Sequence, residues 1–197
     1  MFTAMQELIR TAFSESIRVK EAFLEEHRDT LESVAKLCAT SLADGHKLML
    51  FGNGGSAADA QHLAAEFVNR FRRERRPLPA LALTVDTSAI TAIGNDYSFE
   101  EIFSKQVEAF GETGDIAIAI STSGNSPNIL RAIDACGHSG CFVVGLTGGD
   151  GGLMKEQVDF LLNVSATRET ARIQETHILV GHVICELVDQ ILFPETI

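Results

Sequence analysis

The sequence has no apolar run of the roughly 18 residues needed to span a bilayer, and Met1 to Arg10 breaks its apolar positions with Glu7 and Arg10 instead of building a secretory core. Neither a membrane partner nor export is expected, and the cytosol is the expected location. Positive charge is also scarce: 16 Lys and Arg against 27 Asp and Glu give a formal net charge of -11. Binding to a phosphate backbone depends on an excess of Lys and Arg along one face, so nucleic acid is not an expected partner. Paired cysteines are missing too. Cys38, Cys136, Cys141 and Cys185 are widely spaced with no C-x-x-C pair, which excludes a disulfide frame or a thiolate metal site and reads as reduced, buried small hydrophobes.

What remains is an ordinary globular composition, 45% hydrophobic and 22% charged over 197 residues, enough for one self-sufficient core. The expectation is a single domain over residues 1–197, with a helical segment 1–44 ahead of an α/β core 45–197. In the first segment Leu8, Ile9, Ala12 and Phe13, then Leu31, Val34, Ala35, Cys38 and Leu42, recur at three and four, predicting two amphipathic helices. After Gly45 the pattern changes to short apolar runs: Lys47–Phe51, Leu81–Val85, Asp115–Ile120, Cys141–Leu146 and Val158–Val164. Helical spacing fills the gaps at Ala57–Phe71, Phe99–Phe110, Pro127–Ala135 and Arg172–Leu192. This alternation predicts a doubly wound α/β fold, a mostly parallel five-stranded sheet with helices on both faces and two leading helices. Ligands of such sheets bind beyond the carboxyl ends of the strands, where the Gly/Ser-rich stretches of this chain fall.

Two of those stretches, and the helix after one of them, carry chemistry. Ser121-Thr122-Ser123-Gly124-Asn125-Ser126-Pro127 sets four hydroxyls between a strand and a helix start, with Ser126 as the expected N-cap and Pro127 in the first turn. A hydroxyl-ringed helix N-terminus without a lysine suits a phosphate monoester. Gly52-Asn53-Gly54-Gly55-Ser56-Ala57 loosely fits a dinucleotide turn, but the acidic residue expected about 20 positions on is missing. A backbone that hugs a polar ligand, helped by Asn53 and Ser56, is the better reading. On the helix that follows, His62 and Glu66 stand four apart on one face and could ligate a metal or share proton transfer.

The last helix embeds Arg172, Gln174, Glu175, His177 and His182 in an apolar segment, where burial is costly without partners. Gln174 and His182 differ by about 80° in azimuth and about 12 Å in rise, a stretched geometry for one centre, and His177 reads as a satisfied core histidine. The basic cluster Arg70, Arg72, Arg73, Arg75 and Arg76 reads as a solvated helix end.

Gly52-Asn-Gly-Gly-Ser56, Asp59-Ala-Gln-His62 with Glu66, Gly94-Asn-Asp96, Ser121-Thr-Ser-Gly-Asn-Ser126, Thr147-Gly-Gly-Asp-Gly-Gly152 and Arg172-Ile-Gln-Glu-Thr-His177 with His182 together resemble the sugar isomerase (SIS) domain family. Within it they are similar to the phosphoheptose isomerases, in the family's order and over nearly the whole chain. The resemblance implies conversion of D-sedoheptulose 7-phosphate to D-glycero-D-manno-heptose 7-phosphate, an early step toward lipopolysaccharide core precursors. It further implies a homotetramer that binds a small sugar phosphate. By the same resemblance the substrate loop falls on Asn53, Gly54, Gly55 and Ser56, sugar contacts on Asn95 and Asp96, and the phosphate cradle on Ser121, Thr122, Ser123 and Ser126. A zinc set falls on His62, Glu66, Gln174 and His182, with Gln174 also at the substrate, Glu66 as base and His182 as acid. Arg70 matches an arginine thought to reach a neighbouring subunit's substrate. The same family holds a non-enzymatic protein that associates with the replication initiator and lacks a carboxylate at the position of Glu66, and other sugar-phosphate isomerases; Glu66 with His62, Gln174 and His182 favours an enzyme over the first, and the Gln-His pattern of the last helix argues against the second.

Overall fold

The fold is described from a computed structural model covering residues 2–194; Met1 and residues 195–197, the extreme ends of the expected 1–197 unit, lie outside the described residues. Five strands, β1 (Leu48–Gly52), β2 (Ala80–Ala82), β3 (Ile116–Ile120), β4 (Phe142–Gly148) and β5 (Phe160–Val164), form one parallel sheet in the order β2-β1-β3-β4-β5. Their side chains alternate between two cores. Leu48, Leu50, Ile116, Ile118, Ile120, Val144 and Leu146 face helices α1 (Phe2–Ala43), α2 (Gly55–Val68) and α6 (Thr170–Leu192). Met49, Phe51, Ala117, Ala119 and Val143 face α4 (Ser104–Phe110) and α5 (Pro127–Ser139). Burial on both sides explains why the strands read as unbroken apolar runs.

Two expectations are corrected. The leading segment is one helix of 42 residues, not two. The charged stretch between its apolar blocks contains no Gly or Pro, and Val19 and Phe23 within it are buried, so the apolar face continues while the charges point to solvent. It ends at Ala43, and Gly45 just beyond, with a φ of 91°, lets the His46 N–H bond the Ser41 carbonyl at 3.0 Å. The second correction is α3 (Thr87–Asp96), which the run reading left unassigned; every residue in it is at least partly exposed, so little apolar periodicity marks it. Its signal is local: the Asp86 carboxylate accepts from the Ala89 N–H at 2.9 Å as an N-cap.

The basic cluster is not uniformly solvated. Arg70 pairs with Glu74 and Arg72 with Glu186 at the surface, but the Arg75 side chain is 1% exposed and pairs with Asp189 of α6 at 2.9 Å. Its other nitrogens donate to the Glu66 and Phe67 carbonyls at 2.8 and 2.7 Å. One guanidinium therefore closes the C-terminus of α2 and ties it to α6. The cysteines are free and buried as expected, and burial pushes the Cys38 thiol up to about 12.

His177 is 1% exposed and bonds the Thr147 carbonyl through Nε2 at 2.9 Å; it is a core histidine as expected, but only half satisfied, since its Nδ1 is buried with no hydrogen-bond partner among the described residues. Burial drives its imidazole down from 6.5 to about 4, against the opposing pull of the Thr147 bond. Asp115, at 0% exposure, is raised by burial, but bonds from the Lys47 side chain and the Lys47 and Glu112 N–H groups outweigh that and hold its carboxyl low.

Two stability predictions follow from these buried charges. Arg75→Met strands Asp189 and the last α2 carbonyls, and a denaturant melt should show a loss of about 3–5 kcal/mol; a loss below about 1 kcal/mol would mean the pair is not a clamp. The unfolded chain protonates His177 below pH 6.5 while the fold resists until about 4. The stability present above 6.5 is therefore lost across that window, on the order of 3 kcal/mol. Asp115 loses its contribution further down, as pH falls through its lowered value. Urea melts at stepped pH should show the upper window in the parent and a flattened one in His177→Gln.

Candidate functional site

In this strand order the chain winds outward in one direction through β2 and in the other through β3, β4 and β5. The switch point lies between β1 and β3, and beyond their carboxyl ends a crevice opens. The turn after β1 carries Asn53, Gly54, Gly55 and Ser56; the turn after β3 carries Ser121 to Ser126. They are joined by a reciprocal amide pair: Asn53 Nδ2 donates to Asn128 Oδ1 at 2.8 Å, and Asn128 Nδ2 to Asn53 Oδ1 at 2.9 Å. Asn128 is 2% exposed. The Asn53 amide is thus largely engaged within the protein, so the turn offers a ligand mainly backbone and Ser56.

The hydroxyl loop is held from the other side. The Gly124 carbonyl accepts from the Met154 N–H at 3.0 Å, and Asn125 Oδ1 accepts from the Leu153 N–H at 3.0 Å. Gly124 and Gly152 have positive φ of 64° and 58°, and a Cβ on either would collide with the opposite loop; only glycine permits this interlock. Ser126 is the N-cap residue by backbone with Pro127 following, as expected. Its hydroxyl, however, meets Ser121 Oγ at 3.2 Å rather than the first-turn N–H groups; Pro127 has no N–H and the Ile129 N–H bonds the Ser126 carbonyl at 3.0 Å, so the Asn128 N–H is the first-turn donor left to a ligand. Beside the loop lies a cavity of about 250 Å³ lined by Thr122, Ser123, Asn125, Gly148, Gly149, Asp150, Arg168, Thr170 and Ile173.

The third component sits where α2 and α6 run side by side. A Cβ on Gly181 would overlap the Leu63 side chain, so the helices approach closely there. One residue on from Gly181, His182 Nε2 lies 3.3 Å from His62 Nε2, which is 3.1 Å from Glu66 Oε1. Phe71 stacks on the His182 ring with centroids 5.2 Å apart, fixing its plane. The three ligand atoms lie within 4.8 Å of one another. A single proton on His62 Nε2 must be shared between Glu66 and His182; a proton on His182 instead leaves His62 and Glu66 as two acceptors in contact. One cation at the centre satisfies all three lone pairs, and two imidazoles with a carboxylate are suitable donors for a divalent metal. Nearby, Asp59 Oδ2 is buried without a hydrogen bond among the described residues. Burial pushes its carboxyl up, partly offset by His62 and His182.

Of the expected site residues, the structure gathers His62, Glu66 and His182 into one cluster, and Ser121, Thr122, Ser123 and Ser126 into one loop. Gln174, the fourth residue of the expected metal set, is located by a contact with α2. Its amide lies against Gly55 at the start of α2, about 10 Å of helix rise before His62, beside the substrate turn. Asn95 and Asp96 end α3, exposed, with Asn95 donating to Asp96 at 2.8 Å; with Arg70 they stand outside the two assemblies. Sequence reasoning assigned no role to Asn128, Phe71 or the Asp150–Arg168 pair. Asn128 sits in the first turn of a helix whose start was read correctly, but only the fold shows its partner.

The chain matches the model of the SIS domain over residues 13–148. It is 56% identical over 179 residues to the phosphoheptose isomerase of Nitratidesulfovibrio vulgaris strain Hildenborough, covering 91% of this chain and 86% of that one. Among solved structures it resembles the phosphoheptose isomerase of Neisseria gonorrhoeae, with a TM-score of 0.89, 46% identity, and coverage of 94% of this chain and 99% of the other. The phosphoheptose isomerase from Francisella tularensis superimposes with a TM-score of 0.91 at 39% identity, over 94% and 98% of the two chains.

Asn128→Ala leaves the half-buried Asn53 amide unpaired, with an expected cost of about 1–3 kcal/mol. Hydrogen exchange measured by mass spectrometry should quicken at residues 53–56; unchanged exchange there would show that the two turns hold their shape independently.

Proposed function

Because the chain belongs to the SIS domain family and, within it, to the phosphoheptose isomerases, we propose that it interconverts D-sedoheptulose 7-phosphate and D-glycero-D-manno-heptose 7-phosphate at the crevice between β1 and β3, with Glu66 moving the proton. The observation that carries this reading is the convergence of Glu66 with His62 and His182, on the helix that starts at the β1 turn, while that turn is fastened to the helix start behind the hydroxyl loop.

Ketose to aldose conversion removes a proton from C1, forms a cis-enediol and returns a proton to C2, while protons on O1 and O2 are exchanged. One carboxylate over the chain serves both carbons. Glu66 directs Oε1 at His62, which leaves Oε2 for the carbon-bound proton. His182 turns Nε2 toward His62, so its Nδ1 side is the one open to manage O1 and O2. Ser121, Thr122, Ser123 and Ser126, with the Asn128 N–H in the first turn of α5, take the phosphate, and the remote phosphate supplies the orientation of the reacting end. Gln174 lies against Gly55, and we assign its amide to the sugar along with Ser56 and the backbone of Asn53, Gly54 and Gly55. A divalent metal, taken here as zinc, would be held by His62, Glu66 and His182, and when bound supplies Lewis-acid polarisation of the carbonyl.

Asn95, Asp96 and Arg70 stand exposed within one chain, and the outer face of α1 presents Leu8, Ile9, Phe13 and Ile17 to solvent. A homotetramer that covers the segment 1–44 and carries Arg70, Asn95 and Asp96 toward a neighbouring site accommodates both facts. No described helix is long and apolar enough to cross a membrane, and we place the reaction in the cytosol, at the entry to heptose precursors of lipopolysaccharide. The initiator-binding reading is not favoured, since Glu66 is present and the relatives are isomerases.

Glu66→Gln should lower turnover of sedoheptulose 7-phosphate, followed by proton NMR, by at least about a thousandfold with unchanged circular dichroism; retained turnover removes Glu66 from the role. Zinc titrated calorimetrically should bind once per chain, and His62→Ala should weaken it at least tenfold, roughly the scale of losing a ligand's support. Mixing Arg70→Ala with Glu66→Gln chains should restore part of the activity if Arg70 acts across subunits; no recovery confines it to its own chain.

A further inference from the structure

The cavity beside the hydroxyl loop has a carboxylate on its rim. Of the residues that line it, Asp150 and Arg168 alone are charged. An anion entering past Asp150 meets repulsion, and a chain of net charge -11 adds to it. Hydroxyls and helix N–H groups supply partial charges only, which a phosphate dianion near a carboxylate does not favour unless a cation intervenes.

Arg168 is placed to be that cation. Its Nη2 lies 3.7 Å from Asp150 Oδ2, a loose approach with both side chains largely exposed, so the guanidinium is tethered without being spent. Its stem crosses Gly149, where a Cβ would come within 3.6 Å of Arg168 Cγ, and this lays the side chain over the cavity. The turn that carries it is ordered by Thr167 Oγ1 accepting from the Glu169 N–H at 3.1 Å. Thr170, the first residue of α6, lines the same cavity. A guanidinium matches a phosphate with two parallel N–H donors, better than it matches a single carboxylate oxygen at this distance.

We propose that Arg168 is a substrate-binding residue that recognises the phosphate of the sugar phosphate, and that Asp150 is its resting counter-charge, which the dianion displaces. The proposal rests on the assignment of this loop as the phosphate cradle. It adds a full charge from the β5–α6 turn to a site otherwise built of hydroxyls.

The test uses inorganic phosphate as a direct calorimetric ligand and sedoheptulose 7-phosphate in turnover, on the full chain. Arg168→Gln should weaken inorganic phosphate about tenfold and raise KM by a similar factor, with kcat changed less than threefold, and should flatten the salt dependence of binding. Arg168→Lys should recover part of the loss, because it keeps the charge without the fork. Asp150→Asn should bind phosphate as tightly as the parent or tighter, since the repulsion is gone. Phosphate affinity and KM unchanged in Arg168→Gln overturn the proposal while the parent's turnover leaves the assigned activity standing. Asp150→Asn weakening phosphate also overturns it. A parent chain that neither binds phosphate nor turns over the heptose overturns both.

Discussion

The site depends on how closely α2 and α6 approach. His62 and Glu66 belong to one helix and His182 to the other, and their ligand atoms meet only because Gly181 lets α6 settle onto Leu63. Arg75 then fixes the pair at one end by bonding the final carbonyls of α2 and the carboxylate of Asp189 together. At the other end Gln174 rests on Gly55. A sideways shift of one helix by 1 Å would misplace a proton-transferring group by an amount that matters for rate. The buried Arg75–Asp189 pair, costly to desolvate, is therefore better understood as a device for register than as a gain in stability.

A second constraint joins this helix pair to the phosphate end. The strand order places the turns after β1 and β3 side by side, and the Asn53–Asn128 amides fasten them. The Gly124 and Gly152 interlock braces the second turn against the loop after β4. Binding energy gathered at a sugar's phosphate can then be used at its far end, because the elements between the two are rigid. The charge available there is where Asp150 and Arg168 enter, as a rim pair whose balance sets how readily a dianion is admitted.

Much of this was legible in the residues. Five apolar runs flanked by Gly/Ser turns were enough for the sheet, since strands buried on both faces leave no other pattern, although the second run was placed slightly late. The hydroxyl loop and the His62–Glu66 face followed from local chemistry. The rest needed the tertiary arrangement. A long helix with a charged middle looks like two until Val19 and Phe23 are seen to be buried. Arg75 looks like its neighbours until Asp189, 114 residues later, comes beside it. The meeting of His182 with His62 rests on a glycine contact between helices, which no spacing within either helix announces. Gln174 comes to the metal and to the substrate by resemblance, and its contact with Gly55 sets its amide beside the substrate turn.

The most direct measurement is a crystal structure of Glu66→Gln, too slow to consume its substrate, soaked with sedoheptulose 7-phosphate. The account predicts the phosphate within hydrogen-bond reach of the Ser121–Ser126 loop, with C1 and C2 lying over the residue 66 side chain. Phosphate bound elsewhere, or reacting carbons out of reach of position 66, would contradict it.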